Sequence, residues 1–408
     1  MKYGILGLGK VGINTLSHIL RKWNDFPVYW VADSKSILSK ESEPFTPTEI
    51  RAIIRLKAQS RSPSFCRLNV PNARMDKFRD LRQELRTLNS IMPKKEEWTI
   101  FDTTTLASTD DYKLAKAMMG IAGFCTANKT LCADFRLCSA LYHQAETCQT
   151  FLGLNCTTGV WADQMESVPL VMKHLSEGRV TITKRDNSSL NTFFSLVDSF
   201  ANPDEAIKEI ERAGHLEPGA KDFSKEVYDQ VLKARITANI CGILAGTRPH
   251  YIDETLIGKD RPRSMSPVDI ARWHRGGNRN KEFKALVTRI VVDVNHEKVL
   301  RSTVSFGKLP KESPLARHFL GKSAIHIETT NLLVKSKDRG GKNSGYFHAG
   351  DGGGERTAAK LLWEAKRISR LCRFKGRVPF DPIPVLFAED MGHESEVRLQ
   401  ERISRSLA

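Results

Sequence analysis

With 408 residues the chain exceeds one average domain, and two domains sharing a sizeable core are expected. Its 40% hydrophobic and 27% charged residues make an ordinary soluble composition, while a formal net charge of +16 favours anionic partners, among them phosphate-bearing cofactors and acidic metabolites. No lysine-rich tail, zinc-finger spacing or RNA-binding aromatic signature accompanies that charge, so nucleic acid is not an expected partner.

The eight cysteines (66, 125, 132, 138, 148, 156, 241 and 372) contain no Cys-x-x-Cys pair, and several sit inside apolar runs. They read as free thiols in a reducing compartment. Met1 leads straight into a strand-like segment with no room for a signal peptide, and no apolar run approaches the ~20 residues of a membrane span. The expectation is a cytoplasmic protein with no membrane partner.

Residues 2 to 8 form a short apolar run that ends in Gly7-Leu-Gly9-Lys10-Val11-Gly12, and a helical pattern follows through Ile13, Leu16, Ile19 and Leu20. Strand, Gly-x-Gly-x-x-Gly, helix is the context a dinucleotide turn requires. Gly7 permits the tight turn, Gly9 lets the pyrophosphate approach the backbone, and Gly12 lets helix and strand pack closely. The pyrophosphate would sit on the helix N-terminus, where unpaired N–H groups favour anions. A second strand, Pro27 to Ala32, ends at Asp33, about where a carboxylate meets the adenosine ribose. Asp33 favours NAD, because a carboxylate repels a 2′-phosphate; Lys35 and Lys40 keep NADP open.

Residues 40 to 95 are charged and helical in pattern over Ile50 to Leu56 and Met75 to Leu88, an elaborated crossover without chemistry. Trp98 to Phe101 reads as a strand running into Asp102-Thr103-Thr104-Thr105, and Ile121 to Cys125 as the next, running into Thr126-Ala127-Asn128-Lys129. Carboxyl ends of such strands face the ligand crevice, so Thr104, Thr105 and Lys129 fall where a nicotinamide would lie.

Beyond residue 160 the pattern changes. Pro169 to Leu175 is helical, Arg179 to Thr183 a strand, Asp186 to Asn191 a polar turn, and Thr192 to Phe200 helical. Gly214 to Lys233 opens with a Gly and Pro turn carrying Glu217, passes Asp222 and Ser224, either of which could cap a helix, and becomes periodic. Val227, Tyr228, Val231, Leu232 and Ile236 form one apolar stripe, with Asp229 and Lys233 together on the opposite side. An acid beside an amine, with a second carboxylate from the preceding turn, could grip a small zwitterion and move a proton; an exposed ion pair is the plainer reading. Phe283 to Val294, Lys298 to Phe306 and Ala324 to Val334 are β-rich, and sheets of this kind commonly supply substrate contacts and a subunit interface. Residues 258 to 282 read as a solvated basic loop first and a regulatory or partner surface second. Gly350 to Gly354 is a second glycine-rich turn before the helix Ala358 to Arg370, able to give backbone N–H groups to a cofactor edge.

Together these pieces resemble homoserine dehydrogenase from Lys2 to about Arg370: the Gly7 to Gly12 turn, Asp102-Thr-Thr-Thr105, Thr126-Ala-Asn-Lys129, Asn187-Ser-Ser-Leu-Asn191 against the family's Asn-Gly-Thr-x-Asn, Gly214-x-x-Glu217-Pro with Asp222, Asp229 and Lys233, Leu309 to Ala316, and Gly350 to Gly354, in the right order. The resemblance implies an α/β fold, with a Rossmann-type dinucleotide-binding domain over residues 1–160, completed by a returning helix in 345–373. A mixed α+β substrate and dimerisation domain would follow over 161–344, and a charged tail or helix over 374–408. It implies NAD or NADP as cofactor, held by Gly7, Gly9, Lys10, Val11, Gly12, Asp33, Thr104, Thr105, Lys129, Gly214 and Gly350. It implies a small amino-acid substrate held by Glu217, Asp229 and Asp222, with Lys233 as proton donor, Lys129 beside the reacting carbon and Asp229 assisting, and a homodimer. The family's glycine-rich cation loop corresponds to Asn155-Cys-Thr-Thr-Gly159-Val-Trp161, which has lost the carboxylate and most of the glycine, so no metal site is expected.

The expected activity is interconversion of aspartate 4-semialdehyde and homoserine. A relative acting on another amino-acid aldehyde or hydroxy acid is the alternative, followed by a non-catalytic dinucleotide sensor.

Overall fold

A computed structural model describes residues 1–59, 65, 68–154, 178–200, 202–212, 222–256, 260–276, 282–293, 299–317, 322–331, 344–351 and 354–372. The expected Pro169 to Leu175 helix, the Asn155 to Trp161 loop, Gly214, Glu217 and the 374–408 tail lie outside these residues. The chain divides into two compact units.

The first unit opens with β1 (Lys2–Leu6), α1 (Lys10–Arg21) and β2 (Val28–Ala32). It continues with β3 (Ser36–Ser39), α2 (Pro47–Gln59), β4 (Arg74–Lys77), α3 (Leu81–Ile91), β5 (Trp98–Asp102), α4 (Ser108–Ala117), β6 (Gly123–Thr126), α5 (Thr130–Ala133), α6 (Phe135–Thr147) and β7 (Phe151–Gly153). The sheet order is β4-β3-β2-β1-β5-β6-β7, parallel from β2 through β7. The strands of the parallel part are apolar on both faces, as Ile5, Val28, Trp30, Ile100, Phe101 and Phe124 show, and all of these are buried. Each such side chain contributes about 1.5–3 kcal/mol on burial.

The crossover departs from the expectation for residues 40 to 95. Ser36–Ser39 and Arg74–Lys77 are antiparallel strands added to the sheet edge, so Met75 belongs to a strand, and the helix begins only at Leu81, after the Asp80 carboxylate caps it by accepting from Gln83 N. Edge pairing satisfies the backbone of a charged four-residue segment too short to form a helix.

The second unit contains β8 (Gly178–Arg185), α7 (Ser188–Ser199), α8 (Pro203–Arg212), α9 (Ser224–Ala245), β9 (His250–Asp253), α10 (Pro267–Arg275), β10 (Glu282–Asp293), β11 (Val299–Pro310), β12 (Lys322–Asn331) and β13 (Ser344–Asp351). Its mixed sheet has the order β13-β12-β8-β10-β11-β9. Ile325, Lys184, Thr288 and Val304 form one cross-strand row on the face covered by α9. The next row, His326, Thr183, Arg289 and Thr303, points to the other face and is half-buried or exposed. Phe193, Phe194, Phe223, Val231, Trp273 and Phe283 centre the core of this unit. Finally α11 (Gly354–Leu371) returns to the first unit and packs Leu361, Ala365 and Ile368 inward.

Two further expectations change. The basic segment 258 to 282 contains α10, which Ser266 caps by accepting from Asp269 N, with Pro267 in its first turn. The polar turn expected over Asp186 to Asn191 is mostly helix: Asn187 caps α7, whose first turn already includes Ser188, and Asp186 and Asn191 are buried. Among the described residues no helix is long and apolar enough to cross a membrane.

Candidate functional site

In the first unit β1 lies between β2 and β5, and the chain leaves it in opposite directions, so its carboxyl end is a topological switch point. Gly7 stands there with φ +83°, in the left-handed region, and a Cβ would press on the Thr103 backbone. A Cβ on Gly12 would run into the Gly7 carbonyl oxygen, which is why helix and strand can pack only through glycine. At Gly9 a Cβ would meet nothing within 4 Å. Gly9 is the N-cap of α1 without a side-chain cap, Lys10 is exposed, Val11 is half-buried, and the first turn carries no acid. That leaves an approachable helix N-terminus suited to an anion.

Asp33, at the end of β2, is engaged on both oxygens. Oδ1 accepts from Lys35 N, Ser36 N and Ser36 Oγ, while Oδ2 pairs with Lys57 Nζ at 2.5 Å. The Lys57 ammonium also lies over the Phe65 ring. The expectation that the Asp33 carboxylate repels a 2′-phosphate is modified by this neighbour, a buried cation beside the acid. Lys40 is corrected as well: it is buried and held by Glu43 at 2.8 Å and Glu49 at 3.3 Å, which keep its pKa raised against burial.

At the end of β5 the Asp102 carboxylate is fully buried and organises the neighbouring loops. Its Oδ1 accepts from Thr104 N at 3.0 Å and Thr104 Oγ1 at 2.7 Å, and Oδ2 accepts from Thr126 Oγ1 at 2.6 Å. Burial pushes its pKa up, and these donors oppose the shift. Asn128 continues the lacing by donating to the Leu106 carbonyl and accepting from Thr130 N. Thr104 and Lys129 are left half-buried at the strand ends and Thr105 exposed. Thr103, which sequence patterning did not single out, donates to the Leu6 and Gly7 carbonyls and locks the glycine turn to β5. Two carboxyls near these strand ends were also missed: Glu84, raised to about 7 by burial and then by Asp102 and Asp33, and Asp111 of α4.

In the second unit, Lys233 and Asp229 form a pair on α9 with Nζ to Oδ2 at 2.7 Å; their side chains are 15% and 27% exposed, so the pair is not a solvated surface bridge. Lys233 Nζ also donates to the Asp186 carbonyl oxygen at 2.9 Å. Asn187 donates from Nδ2 to the Glu226 carbonyl at 3.1 Å and to Asp229 Oδ2 at 3.4 Å, so the cap of α7 also fixes the acid. Tyr228 is 59% exposed and leaves the apolar stripe, whose other expected members Val227, Val231, Leu232 and Ile236 are buried. Neither Asp222 nor Ser224 caps α9. Phe223 occupies that position, and Asp222, exposed, accepts from Ser224 N at 3.0 Å. Gly350 lies within β13, paired with Ser323, rather than in a turn before the helix.

Behind the pair lies a charged triplet that periodicity does not reveal. Lys184, Arg185 and Asp186 are each 0% exposed. Lys184 Nζ meets Asp186 Oδ2 at 2.5 Å and donates to Thr237 Oγ1 at 2.7 Å. Arg185 donates to Asn191 Oδ1 and to the Leu315 and Arg317 carbonyls, and burial pushes its pKa down to about 9. Asn191 answers by donating to the Arg185 and Lys322 carbonyls, which makes the second asparagine of the Asn187 to Asn191 segment a structural residue.

No family model matches the sequence and no curated protein is similar to it. Solved structures do match. A hyperthermophilic archaeal homoserine dehydrogenase in complex with NADPH superposes with a TM-score of 0.58 at 17% identity, covering 90% of this chain and 97% of the other. Homoserine dehydrogenase from Thermoplasma acidophilum gives 0.58 at 18% identity over 91% and 99%. A Candida auris protein of unknown function gives 0.59 at 16% identity over 90% and 98%. The chain therefore has the two-sheet α/β fold seen in homoserine dehydrogenases.

Proposed function

We propose that the protein is an NAD(P)-dependent oxidoreductase that interconverts aspartate 4-semialdehyde and homoserine. The observation that carries the reading is the half-buried Lys233 ammonium, held in one place by Asp229 and the Asp186 carbonyl. An ammonium so held can stabilise a developing alkoxide and then protonate it, while Asp229 retains a charge partner for the amine. In the reverse direction the same lysine takes the hydroxyl proton. Asp229, with Glu217 as the second expected carboxylate, would take the amino group of the substrate.

The first unit fits a dinucleotide. The open space at Gly9, the acid-free N-terminus of α1 and the switch point at β1 provide a place for a pyrophosphate. Asp33 with Lys57 would face the adenosine ribose; Thr104 and Lys129, laced by Asp102 and Asn128, would line the nicotinamide end. A bound nicotinamide supplies or accepts the hydride. Because Lys57 offsets Asp33, NADP is accommodated along with NAD. A homodimer through the face of the second sheet that carries Thr183, Arg289 and Thr303 accompanies this reading, and sedimentation velocity measures it.

The test is the initial rate of nicotinamide reduction with L-homoserine, with NAD and with NADP, repeated on Lys233→Ala. The variant should keep dinucleotide affinity and lose roughly tenfold to a hundredfold in turnover. An unchanged rate would remove Lys233 from the chemistry. Dinucleotide binding without any homoserine-dependent rate would favour a relative acting on another amino-acid aldehyde.

A further inference from the structure

Sequence alone suggests that Lys233 is fixed by its neighbour on the same helix, Asp229. The surroundings of Lys184 indicate a second device. Lys184 lies on β8 in the row facing α9 and is fully buried. Its ammonium meets Asp186 and Thr237, and each of these contacts bears on Lys233 from a different side. One is to Asp186 Oδ2, on the residue whose backbone carbonyl accepts from Lys233 Nζ. The other is to Thr237 Oγ1, one helical turn after Lys233, and that hydroxyl in turn donates to the Lys233 carbonyl at 2.8 Å. The Asp186 carbonyl is steadied a third way, by Ser323 Oγ at 2.9 Å.

We propose that Lys184 is a positioning residue: a buried brace that fixes, through Asp186 and Thr237, both the carbonyl that receives the Lys233 ammonium and the helical turn that presents it. A structural ion pair would need only one of these two connections. A buried cation that meets both Asp186 and Thr237 ties the backbone of both segments to the register of the reactive amine, where small displacements of a catalytic group are costly. Burial pushes the Lys184 pKa down; Asp186 opposes that shift, and the nearby Lys233 ammonium adds to it. The brace survives either charge state of the pair, because a neutral amine and a carboxylic acid still share a hydrogen bond. The catalytic consequence rests on Lys233 being the proton donor; the geometric claim does not.

Lys184→Met alone strands the Asp186 carboxylate in the interior and is expected to unfold the unit. Two milder perturbations are therefore used. Lys184→Met combined with Asp186→Leu removes both charges together, and Thr237→Val removes only the helix arm, with Thr237→Ser as the conservative control that restores the hydroxyl. Two readouts are taken on the full-length protein. The first is the homoserine kcat and KM. The double variant should lose roughly tenfold in kcat and Thr237→Val roughly fivefold, with KM changed less than about threefold and Thr237→Ser close to wild type. The second is the rate at which acetic anhydride acetylates Lys233 at one fixed pH, read by peptide mass spectrometry against the exposed Lys208. Freed from its anchored carbonyl, Lys233 should react at least about threefold faster in both variants and not in Thr237→Ser. Unchanged labelling of Lys233 in the folded double variant overturns the brace, and so does a kcat within about twofold of wild type. If the wild type itself shows no homoserine turnover, the proposed reaction fails, and the labelling still decides the brace.

Discussion

Asp111 offers a test of the first unit that needs no substrate. Its side chain on α4 is fully buried, beside the Asp102 carboxyl group. Burial first, and then the Asp102 carboxylate, push its pKa up to about 9. In the unfolded chain the same group titrates near 4. The sign follows from which state holds the proton. Below about pH 4 both states are protonated and the group contributes nothing; between about 4 and 9 only the folded state keeps the proton, so folding takes one up and stability falls as pH rises. The slope approaches about 1.4 kcal/mol per pH unit, which accumulates to roughly 4 kcal/mol by pH 7. Asp111→Asn removes the titration while conserving shape. A constant gain or loss from burying the amide shifts the whole curve without altering its slope, so the slope is the quantity to read. Urea unfolding at pH 5, 6, 7 and 8 should give a wild-type stability that declines relative to the variant by about 1.4 kcal/mol per unit. Parallel curves would mean that Asp111 is ionised in the fold or reached by water, and the reasoning would be refuted.

The glycine turn gives a paired expectation. Gly9→Ala should leave the melting temperature unchanged and weaken dinucleotide binding at least about tenfold, because its Cβ enters only the open space above the helix N-terminus. Gly12→Ala should lower the melting temperature as well, because its Cβ collides with the Gly7 carbonyl. Equal thermal effects would contradict the geometry. Glu84, raised to about 7, is neutral below that pH and charged above it; fluorescence titration of NADPH should show affinity falling severalfold between pH 6 and 8, and a flat profile in Glu84→Gln. Lys57→Met exposes the full charge of Asp33 and should cost NADP at least about tenfold more affinity than NAD, with equal losses counting against the ribose placement.

How much of this was legible depended on whether a residue's signal was local. The strand, glycine turn and helix at the N-terminus are written in backbone requirements that neighbours in sequence satisfy, and Gly7 and Gly12 stand as their types demanded. The strand ends carrying Thr104 and Lys129, and the four-residue spacing of Asp229 and Lys233, were readable for the same reason. Tyr228 was misplaced because α9 has buried residues around most of its circumference, including Gln230, Thr237 and Asn239, so hydropathy could not say which side faced out. The edge strand Arg74–Lys77 was missed because its pairing partner, Ser36–Ser39, lies across a whole helix in the chain.

The deepest gap concerns charge. Nothing in the sequence pattern marks Lys184, Arg185, Asp186, Asp102 and Asp111 as interior, since an unpaired charge is too costly to bury. All five are nevertheless fully buried. What makes Lys184, Arg185 and Asp102 tolerable are acceptors and donors far away in sequence: Thr237 for Lys184, the Leu315 and Arg317 carbonyls for Arg185, and Thr126 for Asp102; the Asp186 carboxylate is paired with Lys184, two residues before it. Asp111 is tolerated differently, by keeping its proton. The carboxylate behind the proposed nicotinamide loops and the cation behind the proposed proton donor thus play the same part in their respective units. Each gathers loop ends that the chain brings together from distant positions, and buried hydrogen bonds of this kind, unlike apolar contacts, have only one satisfactory arrangement. A proposed reaction that needs a hydride and a proton delivered to fixed atoms is best supported by residues whose neighbours permit no other position, and in both units those neighbours are the buried charges.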